Sequence, residues 1–122
     1  MKVSKISGMM VGAALLALPA MASAADAPPA FTACKACHSV EAGKNGVGPS
    51  LAGIYGRKLG QAAGFKYSDA HLKFASQTVD DAFLTKYLAN PKEVIPGNKM
   101  VFAGLKSADE VSAVIAYLKT LK

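Results

Sequence analysis

Two cysteines and a histidine stand close together in the segment Cys34-Lys35-Ala36-Cys37-His38. Two thiols three positions apart, followed at once by an imidazole, match the attachment pattern for a c-type haem. In that chemistry each sulfur joins a vinyl group of the porphyrin, and the histidine becomes an axial ligand of the iron. The spacing fits one helical turn, which places the three side chains on the same side. The motif therefore predicts a covalent haem on Cys34 and Cys37, with His38 as an iron ligand.

The two cysteines also have other interpretations. A Cys-x-x-Cys pair can form a redox-active disulfide, and two cysteines can belong to an ordinary core. A redox disulfide normally accompanies a βαβ pattern, which this sequence lacks. A core pair has no need of a histidine directly behind it. Haem attachment is therefore favoured, with disulfide exchange as the alternative.

The N-terminus has the pattern of a secretory signal peptide spanning residues 1–24. A basic n-region with two lysines precedes an apolar segment at residues 6–18 and an Ala-Ser-Ala cleavage site at residues 22–24. Removing 24 of the 122 residues leaves a domain of 98, residues 25–122, which we expect in the periplasm. The apolar run is shorter than the roughly 20 residues that cross a bilayer, so a membrane anchor is the less favoured alternative.

After loss of the signal peptide, Met100 is the only methionine. It lies in residues 95–104, whose proline and glycines predict an irregular loop. A thioether held by such a loop can be the second axial ligand, while core packing is the alternative for a lone methionine. His71 and Lys99 are the other candidates. We expect His71 at the surface of a short helix that starts near Ser68, and Lys99 would have to lose its proton to bind iron.

The remaining pattern is α-helical. Ser107 and Glu110 form a capping box, followed by apolar residues at i, i+3, i+4 and i+7, which predicts a C-terminal helix. Residues 80–81 suit the start of a second helix, and residues 90–91, Asn-Pro, should end it. The glycine-rich residues 43–64 form a long loop, which the wrapping of a large flat cofactor would explain. The apolar stripes of the two helices are Val111, Val114, Ile115 and Leu118, and Phe83, Leu84, Tyr87 and Leu88.

Together these segments resemble a class I cytochrome c, close to the mitochondrial type and to the bacterial periplasmic c2 or c550 type. The resemblance implies an all-α class I cytochrome c fold, with short helices and long loops wrapped around one covalent haem c. Besides the cysteine motif, it rests on residues 47–51 (Val-Gly-Pro-Ser-Leu), 55–58 (Tyr-Gly-Arg-Lys), 64–70, 87–91 (Tyr-Leu-Ala-Asn-Pro), the loop around Met100, and 114–118.

The resemblance also implies roles around the haem. Pro49 resembles the residue whose carbonyl accepts the imidazole proton of the axial histidine. Arg57 and Tyr67 resemble the groups that hydrogen-bond a haem propionate. Tyr87 resembles the residue whose hydroxyl contacts the methionine sulfur. Asn98 stands where the family usually has a threonine, and its amide is expected to donate in the haem environment.

Two departures from the resemblance are visible. The chain has no tryptophan, and Val79 stands where the mitochondrial type carries one near a propionate. Residues 28–29 are both proline, so the first helix begins no earlier than about there. Packing of that helix against the last one is therefore expected to be reduced, with Phe31 as its main apolar contact.

The charge favours protein partners. The formal net charge is +6, and removal of the two lysines in the signal peptide leaves +4. The lysines are spread along the chain and can steer an acidic protein to the haem edge, although a solubilising surface is the alternative for each of them. They include Lys35, Lys44, Lys58, Lys66, Lys92, Lys99 and Lys106. With no clustered basic run, nucleic acid is not an expected partner.

The ligand pair and the resemblance predict a soluble periplasmic electron carrier rather than an enzyme. With His38 and Met100 on the iron, no coordination position is open to a substrate. The resemblance implies a monomer that takes electrons from a cytochrome bc1 complex and gives them to a terminal oxidase, a reductase or a photosynthetic reaction centre. Two other classes are a haem enzyme or gas sensor with an open sixth position, and a disulfide-exchange domain without haem.

Overall fold

The computed structural model describes residues 26–121, so the signal peptide predicted at residues 1–24 lies outside them. Helices joined by long loops make up this part of the chain, and its only strand-like pairing is an antiparallel bridge between Lys58 and Thr78. The all-α prediction is confirmed. A 3₁₀ turn at Pro29–Phe31 precedes five α-helices: α1 (Thr32–Lys35), α2 (Asp69–Leu72), α3 (Asp81–Tyr87), α4 (Pro91–Val94) and α5 (Ala108–Thr120). None of these helices combines the length and the apolarity that crossing a bilayer requires.

The predicted capping box begins α5. Ser107 Oγ accepts a hydrogen bond from the Glu110 backbone N–H at 3.1 Å and donates one to the Glu110 carboxylate at 3.1 Å. The first bond satisfies a backbone N–H at the helix start that has no partner within the helix, and the second joins the two side chains. The buried face of α5 is formed by Val111, Val114, Ile115, Tyr117 and Leu118.

The N-terminal segment is short and packs on α5 through one aromatic pair. Its first turn begins at Pro29, and Phe31 is fully buried. The ring of Phe31 meets the ring of Tyr117 edge to face, with centroids 4.7 Å apart. Phe31 is therefore the main apolar contact of this segment, as expected from the position of the two prolines.

The Asn-Pro pair that was expected only to end α3 also begins a further helix. Asp80 caps α3 by accepting the Phe83 N–H at 2.8 Å, as predicted. Asn90 then caps α4 by accepting the Glu93 N–H at 3.2 Å, with Pro91 in the first turn. The prediction missed α4 because proline, which stops a preceding helix, also suits the first turn of a new one.

The long loop is ordered by bonds that reach across it. Asn45 accepts from the Ser50 N–H and donates to the Ala63 carbonyl, both at 2.9 Å. Val79 is fully buried, accepts from the Gly56 N–H and donates to the Arg57 carbonyl, both at 2.7 Å. Val79 is therefore part of the core and ties the loop to the segment before α3.

Candidate haem-binding site

One cleft brings together the residues that the sequence predicts to hold a haem. Its volume is about 430 Å³, within the roughly 300–1,000 Å³ of small-molecule sites. Cys34, Cys37, His38 and Met100 all line it. The wall also contains the apolar residues Phe31, Leu51, Ile54, Leu59, Phe65, Val79, Phe83, Leu84, Leu88, Phe102, Val114 and Leu118. The cleft is thus mainly apolar, with two thiols, one imidazole and one thioether.

The cysteine motif folds as one helical turn at the end of α1. The backbone N–H groups of Cys37 and His38 both donate to the Cys34 carbonyl, at 3.1 Å and 2.9 Å. The two sulfurs are not joined in a disulfide. Burial, and then the neighbouring Cys37, raise the pKa of the Cys34 thiol. The turn places both sulfurs and the imidazole on the cleft.

The His38 imidazole is held in one orientation by the loop that follows. Its Nδ1 lies 2.7 Å from the Pro49 carbonyl oxygen, which can only accept. Nδ1 therefore carries the proton, and the lone pair of Nε2 is available to a metal. A Cβ at Gly48 would lie 2.5 Å from ring atom Cε1, so only glycine leaves room for the ring.

The thioether is accompanied by a buried hydroxyl. Tyr87 Oη donates to Met100 Sδ over 3.9 Å, and its ring stacks on Phe83 with centroids 5.1 Å apart. Burial raises the pKa of Tyr87 to about 12, so the hydroxyl keeps its proton at physiological pH.

Asn98 lines the cleft, but its amide hydrogens go to the backbone. Nδ2 donates to the carbonyls of Pro91 and Ile95, at 2.9 Å and 2.8 Å. Oδ1 accepts the Met100 N–H at 2.9 Å. The side chain therefore holds the loop and has no donor hydrogen left for a cofactor.

The two residues expected near a propionate, Arg57 and Tyr67, differ in the hydrogen-bond donors that they present to the cleft. Tyr67 Oη accepts the Ala62 N–H at 2.9 Å, which leaves its own proton for a partner in the cleft. Arg57 is exposed and donates from Nε to the Gly53 carbonyl at 2.6 Å and from Nη2 to the Ala52 carbonyl. Tyr67 is therefore the better placed donor, although both residues line the cleft.

The expectation for His71 is wrong, because the residue is half buried and lines the cleft. Its ring stacks on Tyr67, with centroids 5.0 Å apart and planes 18° from parallel. Burial lowers the pKa of the imidazole. Ser68, which is buried and caps α2, lies three positions earlier and so on the same helix face, a signal that points His71 inward. Lys99 is exposed at the rim of the cleft.

Known proteins similar to this chain are c-type cytochromes. The profile of the family described as cytochrome c matches residues 24–122. Cytochrome c2 of Rhodoplanes tepidamans is 72% identical over 97 residues, covering 80% of this chain and 99% of that protein. Cytochrome c2 iso-2 of Magnetospirillum molischianum is 74% identical over 98 residues, covering 80% and 100%. The solved structure of cytochrome cH from Methylobacterium extorquens has a TM-score of 0.70 at 51% identity, covering 75% of this chain and 91% of that one.

This chain belongs to the cytochrome c family. As a member, it binds one covalent haem c that contains iron, and it is an electron-transfer protein rather than an enzyme. The class I cytochrome c fold expected from the sequence is confirmed by the family match and by the structural relative.

The cleft of this cytochrome fits a haem on the chemistry of its own atoms. The two thiols lie on one helical turn, and the orientation of His38 leaves Nε2 as the metal-binding nitrogen. The apolar wall suits a porphyrin face, and the proton of Tyr67 is available to an anionic group. These features come from segments far apart in the chain, which the fold brings to one cleft.

Proposed function

We propose that this cytochrome carries single electrons in the periplasm. In this proposal Cys34 and Cys37 would hold the porphyrin, and His38 and Met100 would bind the iron. Bound haem supplies a one-electron change in the oxidation state of its iron. The supporting observation is the pairing of two tuned donors in one cleft: an imidazole tied to the Pro49 carbonyl and a thioether contacted by the Tyr87 hydroxyl.

The surrounding residues tune those two donors. The Pro49 carbonyl orients the imidazole and raises its basicity. The soft thioether of Met100 and the apolar wall both favour the lower charge of the reduced metal, which raises the reduction potential. With His38 and Met100 both bound to the iron, no coordination position would be left for a substrate, as a carrier requires.

Electron exchange needs a surface at which a partner can approach the cleft. Val101 and Val47 line the cleft and are 95% and 80% exposed. Lys66 and Lys99 lie on the same rim and are exposed. Among residues 26–121 the ion pairs join Lys44 to Glu41 and Lys119 to Asp81. Lys66 and Lys99 are in neither pair, so these two rim lysines can attract an acidic partner.

The partners proposed for this surface are membrane redox complexes. A cytochrome bc1 complex is the donor, and a terminal oxidase, a reductase or a photosynthetic reaction centre is the acceptor. A shuttle must also leave each partner, so the interface is small and transient. We also propose that the carrier is a monomer.

The proposal includes export of the chain to the periplasm. The signal peptide at residues 1–24 would be removed, leaving residues 25–122 in the periplasm. The family match begins at residue 24, and the two cytochrome c2 relatives align over 97 and 98 residues, which agrees with a domain of that length.

The proposal is tested on protein purified from the periplasm. Its mass should equal residues 25–122 plus one haem, and a redox titration should be reversible with one electron transferred. The ferrous protein should bind carbon monoxide only slowly. Rapid stoichiometric binding of carbon monoxide would indicate an open position and favour the enzyme or sensor class, while a mass without haem would favour disulfide exchange.

A further inference from the structure

The segment that carries Met100 is held by few backbone hydrogen bonds. On one side the Asn98 N–H donates to the Ile95 carbonyl at 3.2 Å, and on the other the Leu105 N–H donates to the Leu88 carbonyl at 2.7 Å. Between these points, the structure of residues 26–121 gives a partner to one backbone N–H in residues 99–104, that of Met100. This partner is the side chain of Asn98.

The Asn98 side chain is itself tied to both ends of α4. Its two amide hydrogens go to the carbonyl of Pro91, which begins the helix, and to that of Ile95, which follows it. Pro91 and Ile95 are among the fully buried side chains of the protein. A single carboxamide thus connects the backbone of Met100 to a fixed part of the core by three hydrogen bonds.

We propose that Asn98 is a positioning residue for the Met100 thioether. By holding the Met100 backbone against α4, it keeps the sulfur beside the Tyr87 hydroxyl and slows its replacement by other ligands. This inference rests on the proposed function, in which Met100 binds the iron.

The hydrogen-bonding groups of asparagine suit this position better than those of threonine. A threonine has one hydroxyl oxygen and one hydrogen, so it can serve Met100 and one carbonyl at most. Asparagine has two donor hydrogens and a separate acceptor, and here all three are used. Since no donor hydrogen remains, the residue acts through the loop and not by donating to the cofactor.

The test compares Asn98→Ala and Asn98→Asp with Asn90→Ala in the haem-loaded protein. Ala removes all three bonds, while Asp keeps an acceptor and places carboxylate oxygen against two carbonyls. Asn90 is a matched control because it caps the same helix, but its side chain bonds only to Glu93. Two rates are measured: displacement of the thioether by added imidazole in the ferric protein, and exchange of the Met100 amide hydrogen in the ferrous protein.

We expect both Asn98 variants to lose the thioether about tenfold faster than the wild type, the equivalent of one or two hydrogen bonds. In Asn98→Ala the Met100 amide should also exchange about tenfold faster. Asn90→Ala should change neither rate.

Three results would overturn the role of Asn98. These are wild-type displacement rates in both Asn98 variants, an equal acceleration in Asn90→Ala, or an unprotected Met100 amide in the wild-type protein. The last measurement remains decisive even if a variant fails to hold haem. Failure of the proposed function looks different, because the wild-type ferric protein would then lack the methionine-to-iron charge-transfer band altogether.

Discussion

The backbone of Gly48 lies directly against the imidazole of His38. A Cβ at this position would stand 2.5 Å from Cε1 and 2.8 Å from Nδ1 of the ring, closer than carbon atoms pack. The same ring is tied to the Pro49 carbonyl at 2.7 Å. The glycine therefore leaves the space that allows the next residue to orient the iron ligand.

Gly48→Ala should displace the ring from Pro49 and destabilise the haem-loaded protein by about 1–3 kcal/mol, the usual cost of overpacking. Denaturant unfolding followed by haem absorbance measures this. Gly46→Ala is the control, because its Cβ would meet only the Cys37 carbonyl at 3.2 Å. Equal stability of Gly48→Ala and the wild type would contradict the tight seating of the ring.

Removal of the Tyr87 hydroxyl should lower the reduction potential. A donor on the sulfur withdraws electron density and favours the reduced metal, so Tyr87→Phe should lower the potential by about 20–60 mV, equivalent to roughly 0.5–1.5 kcal/mol for one electron. Because the pKa of Tyr87 is raised to about 12, the difference should stay constant from about pH 6 to 9. Redox titration of both proteins at several pH values checks this, and an unchanged or raised potential would count against the contact.

Asp81 should make the free energy of unfolding depend on pH under acidic conditions. Hydrogen bonds from Tyr55, and then from Lys119, lower the pKa of this exposed carboxyl below its ordinary 3.8. Just below pH 3.8 the carboxyl binds more protons in the unfolded chain than in the folded protein. Its contribution to the free energy of unfolding is therefore present at higher pH and is lost as the pH falls towards the pKa of the folded protein.

Asp81→Asn should therefore weaken the acid dependence of the urea midpoint relative to the wild type. The effect should shrink at high salt, since the groups are exposed. Asp109→Asn is the control at a carboxylate in the first turn of α5 that lacks these two partners. If the urea midpoint of Asp81→Asn depended on acidic pH as it does in the wild type, the Tyr55–Asp81–Lys119 contacts would add no pH-dependent stability.

The rim of the cleft should govern the rate at which partners bind. Val101→Glu places a negative charge beside Lys99 and should reduce the second-order rate with a purified cytochrome bc1 complex by about tenfold at low ionic strength. Val40→Glu is a control outside the cleft lining, at a valine that is 38% exposed. The proposed surface would be wrong if both variants slowed the reaction equally, or if neither did.

The parts of the fold that were predictable are those fixed by neighbours in the chain. The helical turn of the cysteine motif, the Asp80 cap and the Ser107–Glu110 capping box are each made by groups within four residues. Short-range hydrogen bonding of this kind is visible in a single sequence.

The parts that were missed differ in whether sequence spacing encodes them. The inward placement of His71 had a local signal, because Ser68 and Tyr67 lie three and four positions before it. Asn98, in contrast, turns to the Pro91 carbonyl, seven positions away, which the α4 helix places near it. The start of α4 was missed because the same Asn-Pro pair serves as both a stop and a start signal. The contact between Tyr87 and Met100, 13 positions apart, was expected from the family resemblance, and the folded chain adds its distance of 3.9 Å.

In the proposed carrier, His38 and Met100 together complete the coordination of the iron. The ferric visible spectrum at neutral pH of the wild type, Met100→Ala and His71→Ala tests this ligand pair. We expect a methionine-to-iron charge-transfer band in the wild type and in His71→Ala, and its loss in Met100→Ala. A band absent from the wild type, or lost in His71→Ala and kept in Met100→Ala, would contradict the assignment of Met100.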